Sequence, residues 1–193
     1  ISVEGATSHP STPMDLRRDT GIESCSLISE LAKIITRDYA ERATITFGKI
    51  EYHPNEINAV PGKTSFSIDI RAGKTVIIDE IESILKEKMI AASNIYRVKM
   101  SLSLYSDVPP TPNHHKLSQI MENESEKLGY STMRLDSGAG HDAMIFAKIW
   151  NTAMIFVPSK DGLTHCPEEW TDYENLAKGA DVLYRTLRAL DKQ

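Results

Sequence analysis

The 193-residue chain is 40% hydrophobic and 25% charged, the mix of a packed globular protein. Its net charge of −5 offers no electrostatic reason to expect nucleic acid or an anionic membrane as partner, and an anionic substrate would need a local cationic pocket. Cys25 and Cys166 make no disulfide framework and point to a reducing, cytoplasmic setting; no apolar run nears the roughly 20 residues that cross a bilayer.

Taken in chain order, residues 1–8 read as a strand entered from its middle, without a starting methionine, which implies a preceding segment. Leu27, Ile28, Leu31, Ile34 and Ile35 share one face of a helix over 22–38, with Asp19 and Thr20 as candidate caps. Ala43, Ile45 and Phe47 alternate with threonines as a half-buried strand, and His53-Pro54-Asn55-Glu56 is turn-rich. Phe66, Ile68 and Ile70 alternate with polar residues, which puts Asp69 and Arg71 together on the opposite face. A second helix follows from Ile77, Ile78, Ile81, Ile84 and Leu85, and a further strand from Val98, Met100, Leu102 and Leu104. The order strand, helix, strand, strand, helix, strand favours a four-stranded antiparallel sheet with both helices on one face, a βαββαβ unit of α+β type.

Residues 107–113, with three prolines, interrupt this pattern and divide the chain into 1–108 and 109–193. Beyond them a helix carries Leu117, Ile120, Met121 and Leu128 and stops at Gly129. Strands near 131–135 and 152–157 bracket a helical stretch around 141–149, and Leu176, Ala180, Leu183, Leu187 and Leu190 mark a last helix. This alternation is that of an α/β layer, although about 80 residues are few for such a layer alone.

Three polar stretches carry candidate chemistry. His9 lies in Gly5-Ala6-Thr7-Ser8-His9-Pro10-Ser11-Thr12-Pro13-Met14, either a plain proline turn or a loop whose imidazole donates to a developing oxyanion. Asn58 closes a turn or binds an amide, and Arg71 either pairs with Asp69 or grips a carboxylate through its guanidinium fork. Ser137-Gly138-Ala139-Gly140-His141-Asp142, between a strand and a helix, lets backbone approach an anionic ligand. His165 sits in a turn beside Cys166, with no second Cys or His at zinc-finger spacing.

Together these stretches resemble the N-carbamoyl-amino-acid hydrolase, allantoate amidohydrolase and β-ureidopropionase group of binuclear metallohydrolases. That group carries Gly-x-Ala-x-His-Ala-Gly-x-Thr-Pro-Met followed by Arg and Asp, matched here from Gly5 to Asp19, with Pro10-Ser11 in place of Ala-Gly. Asn-x-x-Pro-Gly before a strand ending Asp-x-Arg matches Asn58, Pro61, Gly62, Asp69 and Arg71. Ser-Gly-Ala-Gly-His-Asp-Ala matches 137–143, and Ser-His-x-Pro-x-Glu matches Thr164 to Glu169 with Cys166 in the variable place.

The resemblance implies that 1–108 is a lid and dimerisation domain and 109–193 the C-terminal part of an α/β catalytic domain. In that reading His9 is catalytic, and Asn58, Arg71, Gly138, Ala139, Gly140 and His141 bind substrate. His165 is the last protein ligand of two divalent metal ions, zinc or manganese with cobalt or nickel as alternatives. The remaining metal ligands and the general base lie outside this sequence, so the chain alone is expected to be inactive. The implied partners are a small carboxylate substrate and a second copy of the chain joined through the lid, with neither nucleic acid nor membrane. An aminoacylase or peptidase of the same superfamily, and a non-catalytic dimerisation or binding module, are the alternatives.

Overall fold

The apolar spacing after residue 20 produces helix α1 (Thr20–Asp38), and Asp19 caps it, its Oδ1 accepting from the amides of Gly21 and Ile22 at 2.9 and 3.1 Å. The isoleucine-rich stretch after residue 74 forms α2 (Thr75–Tyr96), which ends where Arg97 turns left-handed at φ 53°. The computed structural model describes residues 1–192, in two compact units, one spanning Ile1–Pro110 and the other beginning at Thr111.

In the first unit six short strands accompany these helices: β1 (Ser2–Glu4), β2 (Ala43–Thr46), β3 (Ile50–His53), β4 (Lys63–Phe66), β5 (Asp69–Ala72) and β6 (Lys99–Ser101). A four-stranded antiparallel sheet has the order β3-β4-β1-β6, and β2 pairs with β5 in a separate two-stranded ladder. Val3 on β1 lies opposite Thr64 on β4, so Val3, Thr64 and Phe66 share the inner face. That face meets Leu27 and Leu31 of α1 and Leu85 and Met89 of α2 in one core, which places both helices on the same side of the sheet. A second core joins Ile35, Tyr39, Ala43, Ile77 and Ile81 beneath the two-stranded ladder. Leu27, Leu31 and Ile81 are essentially sealed from water, and burial of such a side chain stabilises by roughly 1.5–3 kcal/mol.

The four-stranded sheet and helix pair agree with the pattern in the sequence, but the membership of the sheet does not. The alternating run through 65–71 is two strands, β4 and β5, and the expected strand over 43–47 becomes β2, outside the main sheet. Its place is taken by β3. Three residues, 47–49, lie opposite two, 67–68, where the ladder passes from β2–β5 to β3–β4. That extra residue is a bulge, and a bulge bends and twists a ribbon. Across it Lys49 O still accepts from Ser67 N–H at 3.0 Å, and Ser67 Oγ accepts from Lys49 N–H at 3.1 Å.

The second unit holds α3 (His115–Lys127), the single turn α4 (Ala143–Phe146) and α5 (Tyr173–Leu190). α3 closes as its sequence indicates: Gly129 takes φ 76°, and Tyr130 N–H reaches back to Ser125 O at 3.0 Å. The expected strands near 131–135 and 152–157 are extended segments without ladder partners among the described residues. An extended segment becomes a strand only by pairing with another, and these two pair neither with each other nor with any other described segment. The helix expected around 141–149 is likewise reduced to α4 and the turns after it. No helix among the described residues is long and apolar enough to cross a membrane.

Candidate active site

His9 leaves the end of β1 through a run of close backbone contacts. Gly5 N–H donates to Gly62 O at 2.8 Å, Ala6 bridges Arg18, and Ser8 bridges Val60, whose N–H donates to Ser8 O at 2.9 Å. Asn58 stands two residues before Val60, so this last bridge brings the His9 and Asn58 loops side by side. The approach requires glycine. A Cβ on Gly62 would lie 2.4 Å from the Thr7 backbone nitrogen, and one on Gly5 would lie 2.1 Å from Arg18 O. Beyond His9 the chain turns back as Thr12 N–H donates to His9 O at 2.9 Å. Arg17 ties down the turn, Nε donating to Thr12 O at 2.8 Å and Nη2 to Pro10 O. Both His9 and Asn58 are exposed.

Arg71 belongs to β5, opposite Thr44 of β2, on the exposed face that it shares with Asp69 as their spacing predicts. Its Nε and Nη2 donate to the Asp69 carboxylate at 3.1 and 2.8 Å, a contact that holds the Asp69 carboxyl below the usual range. The guanidinium thus grips a carboxylate of its own strand. To bind one from a ligand it would exchange partners.

In the second unit Ser137 organises the glycine-containing stretch. Its Oγ lies 2.7 Å from His141 Nε2 and accepts from Ala139 N–H at 3.2 Å. The His141 ring meets Phe156 edge-on at 5.6 Å between centroids. Gly138 and Gly140 are exposed, and the helix that follows them is the one-turn α4. His165 adopts φ 59°; its N–H donates to Glu169 Oε2 at 2.9 Å, and its Nδ1 lies 3.1 Å from Thr164 Oγ1. The Glu169 carboxylate is thus engaged by the backbone amide of His165. Among the described residues no three His, Cys, Asp or Glu side chains gather to hold a metal ion. The residues present therefore do not by themselves fit a two-metal centre, to which His165 offers one imidazole.

One buried group was missed in the sequence. Glu23 lies on α1 one turn before Leu27, is fully buried, and has no hydrogen-bond partner for either carboxylate oxygen. Burial pushes its carboxyl up to about 7. The signal was present, because Glu23 falls on the same helical stripe as Leu27 and Leu31.

This chain is similar over its whole length to known amidohydrolases. It is 36% identical to the allantoate amidohydrolase of Escherichia coli strain K12 over 186 residues, 95% of this chain and 44% of that protein. With the N-carbamoyl-L-amino-acid amidohydrolase of Paenarthrobacter aurescens it shares 30% over 197 residues, 100% of this chain and 47% of that protein. A solved hydantoinase/carbamoylase family amidase from Burkholderia ambifaria superposes with a TM-score of 0.87 at 27% identity, covering 97% of this chain and 45% of that one. The chain spans a little under half the length of these relatives. With the model of peptidase family M20/M25/M40 matching residues 15–189, the chain belongs to that family.

Proposed function

We propose that this chain is the C-terminal part of an amidohydrolase that hydrolyses the ureido or linear amide C–N bond of allantoate or an N-carbamoyl amino acid. The observation that carries the reading is the Ser8–Val60 bridge beyond the end of β1, which brings the loops of the exposed His9 and Asn58 together. Polar side chains carried on these two neighbouring loops suit the amide of a substrate and the oxyanion that forms when water adds to it, where preorganised donors act most strongly. Arg71 would release Asp69 and clamp the substrate carboxylate, and in the second unit the Gly138–His141 stretch would offer backbone to an anionic group. For a carbamoyl amino acid, addition of water and cleavage give the free amino acid, ammonia and carbon dioxide.

In this reading the first unit is a lid and dimerisation domain, the second is part of the catalytic domain, and the enzyme is a homodimer. Two divalent ions, zinc or manganese, would polarise the carbonyl and activate water. His165 would supply one ligand, and the others would come from outside this chain. The similarity to an allantoate amidohydrolase across 95% of the chain favours this substrate class over acylated amino acids.

The test is ammonia release from allantoate and N-carbamoyl amino acids, beside amino-acid release from N-acyl substrates. Purified alone, the chain is expected to give neither. Fused behind the N-terminal part of the E. coli relative, it is expected to release ammonia, and Arg71→Ala should raise KM about tenfold to a hundredfold, as loss of a charged hydrogen-bonded pair implies. An unchanged KM would remove Arg71 from the carboxylate site. Release of amino acid from N-acyl substrates alone would favour the aminoacylase alternative.

A further inference from the structure

The His9 ring is held through one nitrogen. Ser11 N–H donates to His9 Nδ1 at 3.2 Å, and Ser11 Oγ lies 2.7 Å from the same nitrogen. A backbone amide has a proton to give and no lone pair to receive one, so Nδ1 is the acceptor and the ring proton resides on Nε2. With the amide directed at Nδ1, the Ser11 hydroxyl lies within hydrogen-bond distance of the same atom. Both contacts leave Nε2–H pointing away as the group that His9 presents.

The turn around Ser11 is built to keep this geometry. Pro10 fixes its own φ near −65°. The carbonyls on either side of Ser11, those of Pro10 and Thr12, both accept from the Arg17 guanidinium, and Thr12 N–H closes the turn on His9 O at 2.9 Å. Rotation of the Ser11 peptide away from the ring would break this clamp.

We propose that Ser11 is a positioning residue that sets His9 in the Nε2–H tautomer and so makes it a hydrogen-bond donor to substrate, with Arg17 holding the turn in place. The role in substrate binding rests on the reading of His9 given under Proposed function. The tautomer does not.

A long-range 1H–15N correlation spectrum of the imidazoles in the full chain, at alkaline pH and without substrate, reads the tautomer directly. The chain has 6 histidines, and His9→Gln identifies the signal by its loss. The expected result is a single Nε2–H pattern for His9 in the wild-type chain, and a measurable Nδ1–H population in Ser11→Ala with the other histidines unchanged. A wild-type Nδ1–H pattern or mixture, or a Ser11→Ala spectrum identical to wild type, would overturn the proposal. In the E. coli fusion, a His9→Gln enzyme with undiminished kcat and KM would refute the role of His9 itself. These two failures are separate, since the tautomer is read with no turnover.

Discussion

Glu23 gives the most quantitative handle on the first unit. In an unfolded chain this glutamate titrates near the ordinary 4.5, whereas burial in the fold raises it to about 7. One pH unit of difference corresponds to 1.36 kcal/mol, so the ionised residue costs the fold about 3 kcal/mol. The sign follows from which state holds the proton. Below about pH 4.5 the carboxyl is protonated both folded and unfolded, and no penalty exists. Between about 4.5 and 7 the unfolded chain loses its proton first, so stability falls as pH rises, and above 7 the loss is complete. Asp69 beside Arg71 and Asp38 beside Arg37 are held low and act in the opposite sense. The informative quantity is therefore the difference between wild type and Glu23→Gln at each pH. Trp150 and Trp170 both lie in the second unit, so tryptophan fluorescence would miss the effect. Urea titrations followed by the amide resonances of Leu27 and Leu31 would register it. The difference should change by about 3 kcal/mol between pH 4.5 and 8, in the direction that destabilises wild type. Stability curves for the two proteins that run parallel across that window would refute the reasoning.

Two further substitutions address the scaffold around the site. Asp19→Ala removes the acceptor for the Gly21 and Ile22 amides and should lower stability of the first unit by about 1 kcal/mol, while Asp19→Asn should recover most of it; equal losses in both, by urea titration, would contradict the capping role. Gly62→Ala places a Cβ 2.3 Å from Thr7 Oγ1 and 2.4 Å from Thr7 N, and relief of that overlap should cost about 1–3 kcal/mol and shift the amide resonances of Ser8 and Val60; an unperturbed spectrum would show that the two loops approach less closely.

Much of the first unit was legible because its elements announce themselves locally. α1 and α2 carry apolar residues at helical spacing, and Asp19 stands at the cap position. What local pattern does not encode is continuity. Phe66, Ile68 and Ile70 keep their alternation through the point where β4 gives way to β5, because the extra residue that breaks the ladder sits on the other strand, at 47–49. β3, Ile50-Glu51-Tyr52-His53, is too polar to stand out, and its role as a sheet member depends on pairing with β4. Residue types and order single out His9 and Asn58 as candidates, but the approach of their two loops rests on the bridge from Ser8 to Val60, a contact between residues 52 positions apart. Nor could composition show that Ser11, beside a proline, would direct both its amide and its hydroxyl at the imidazole.

The same limit of local pattern is sharper in α5. Leu176, Ala180, Leu183, Leu187 and Leu190 form a stripe with the period of a buried helix face. In the structure α5 instead seals Val182 and Thr186, on another face, while Leu176, Leu183 and Leu187 are 46, 50 and 58% exposed. α5 does pack against α3, where Glu124 and Ser125 are buried, and its Gly179 comes close to Val157, in the extended segment that has no ladder partner. Periodicity therefore reported which face is apolar and not which face is covered within these residues. Completing the burial of three leucines already about half covered would stabilise by roughly 2–5 kcal/mol, a large fraction of the net stability of a whole domain. The second unit, with Val182 as its buried hydrophobic residue among those described, has no comparable core of its own. His9 and Asn58 thus stand on a unit with two closed cores, whereas Gly138–His141 and His165 stand on one whose strongest apolar face is open. Under the function proposed above, that face would pack against the rest of an α/β layer, and His165 would take its further metal ligands from the same polypeptide.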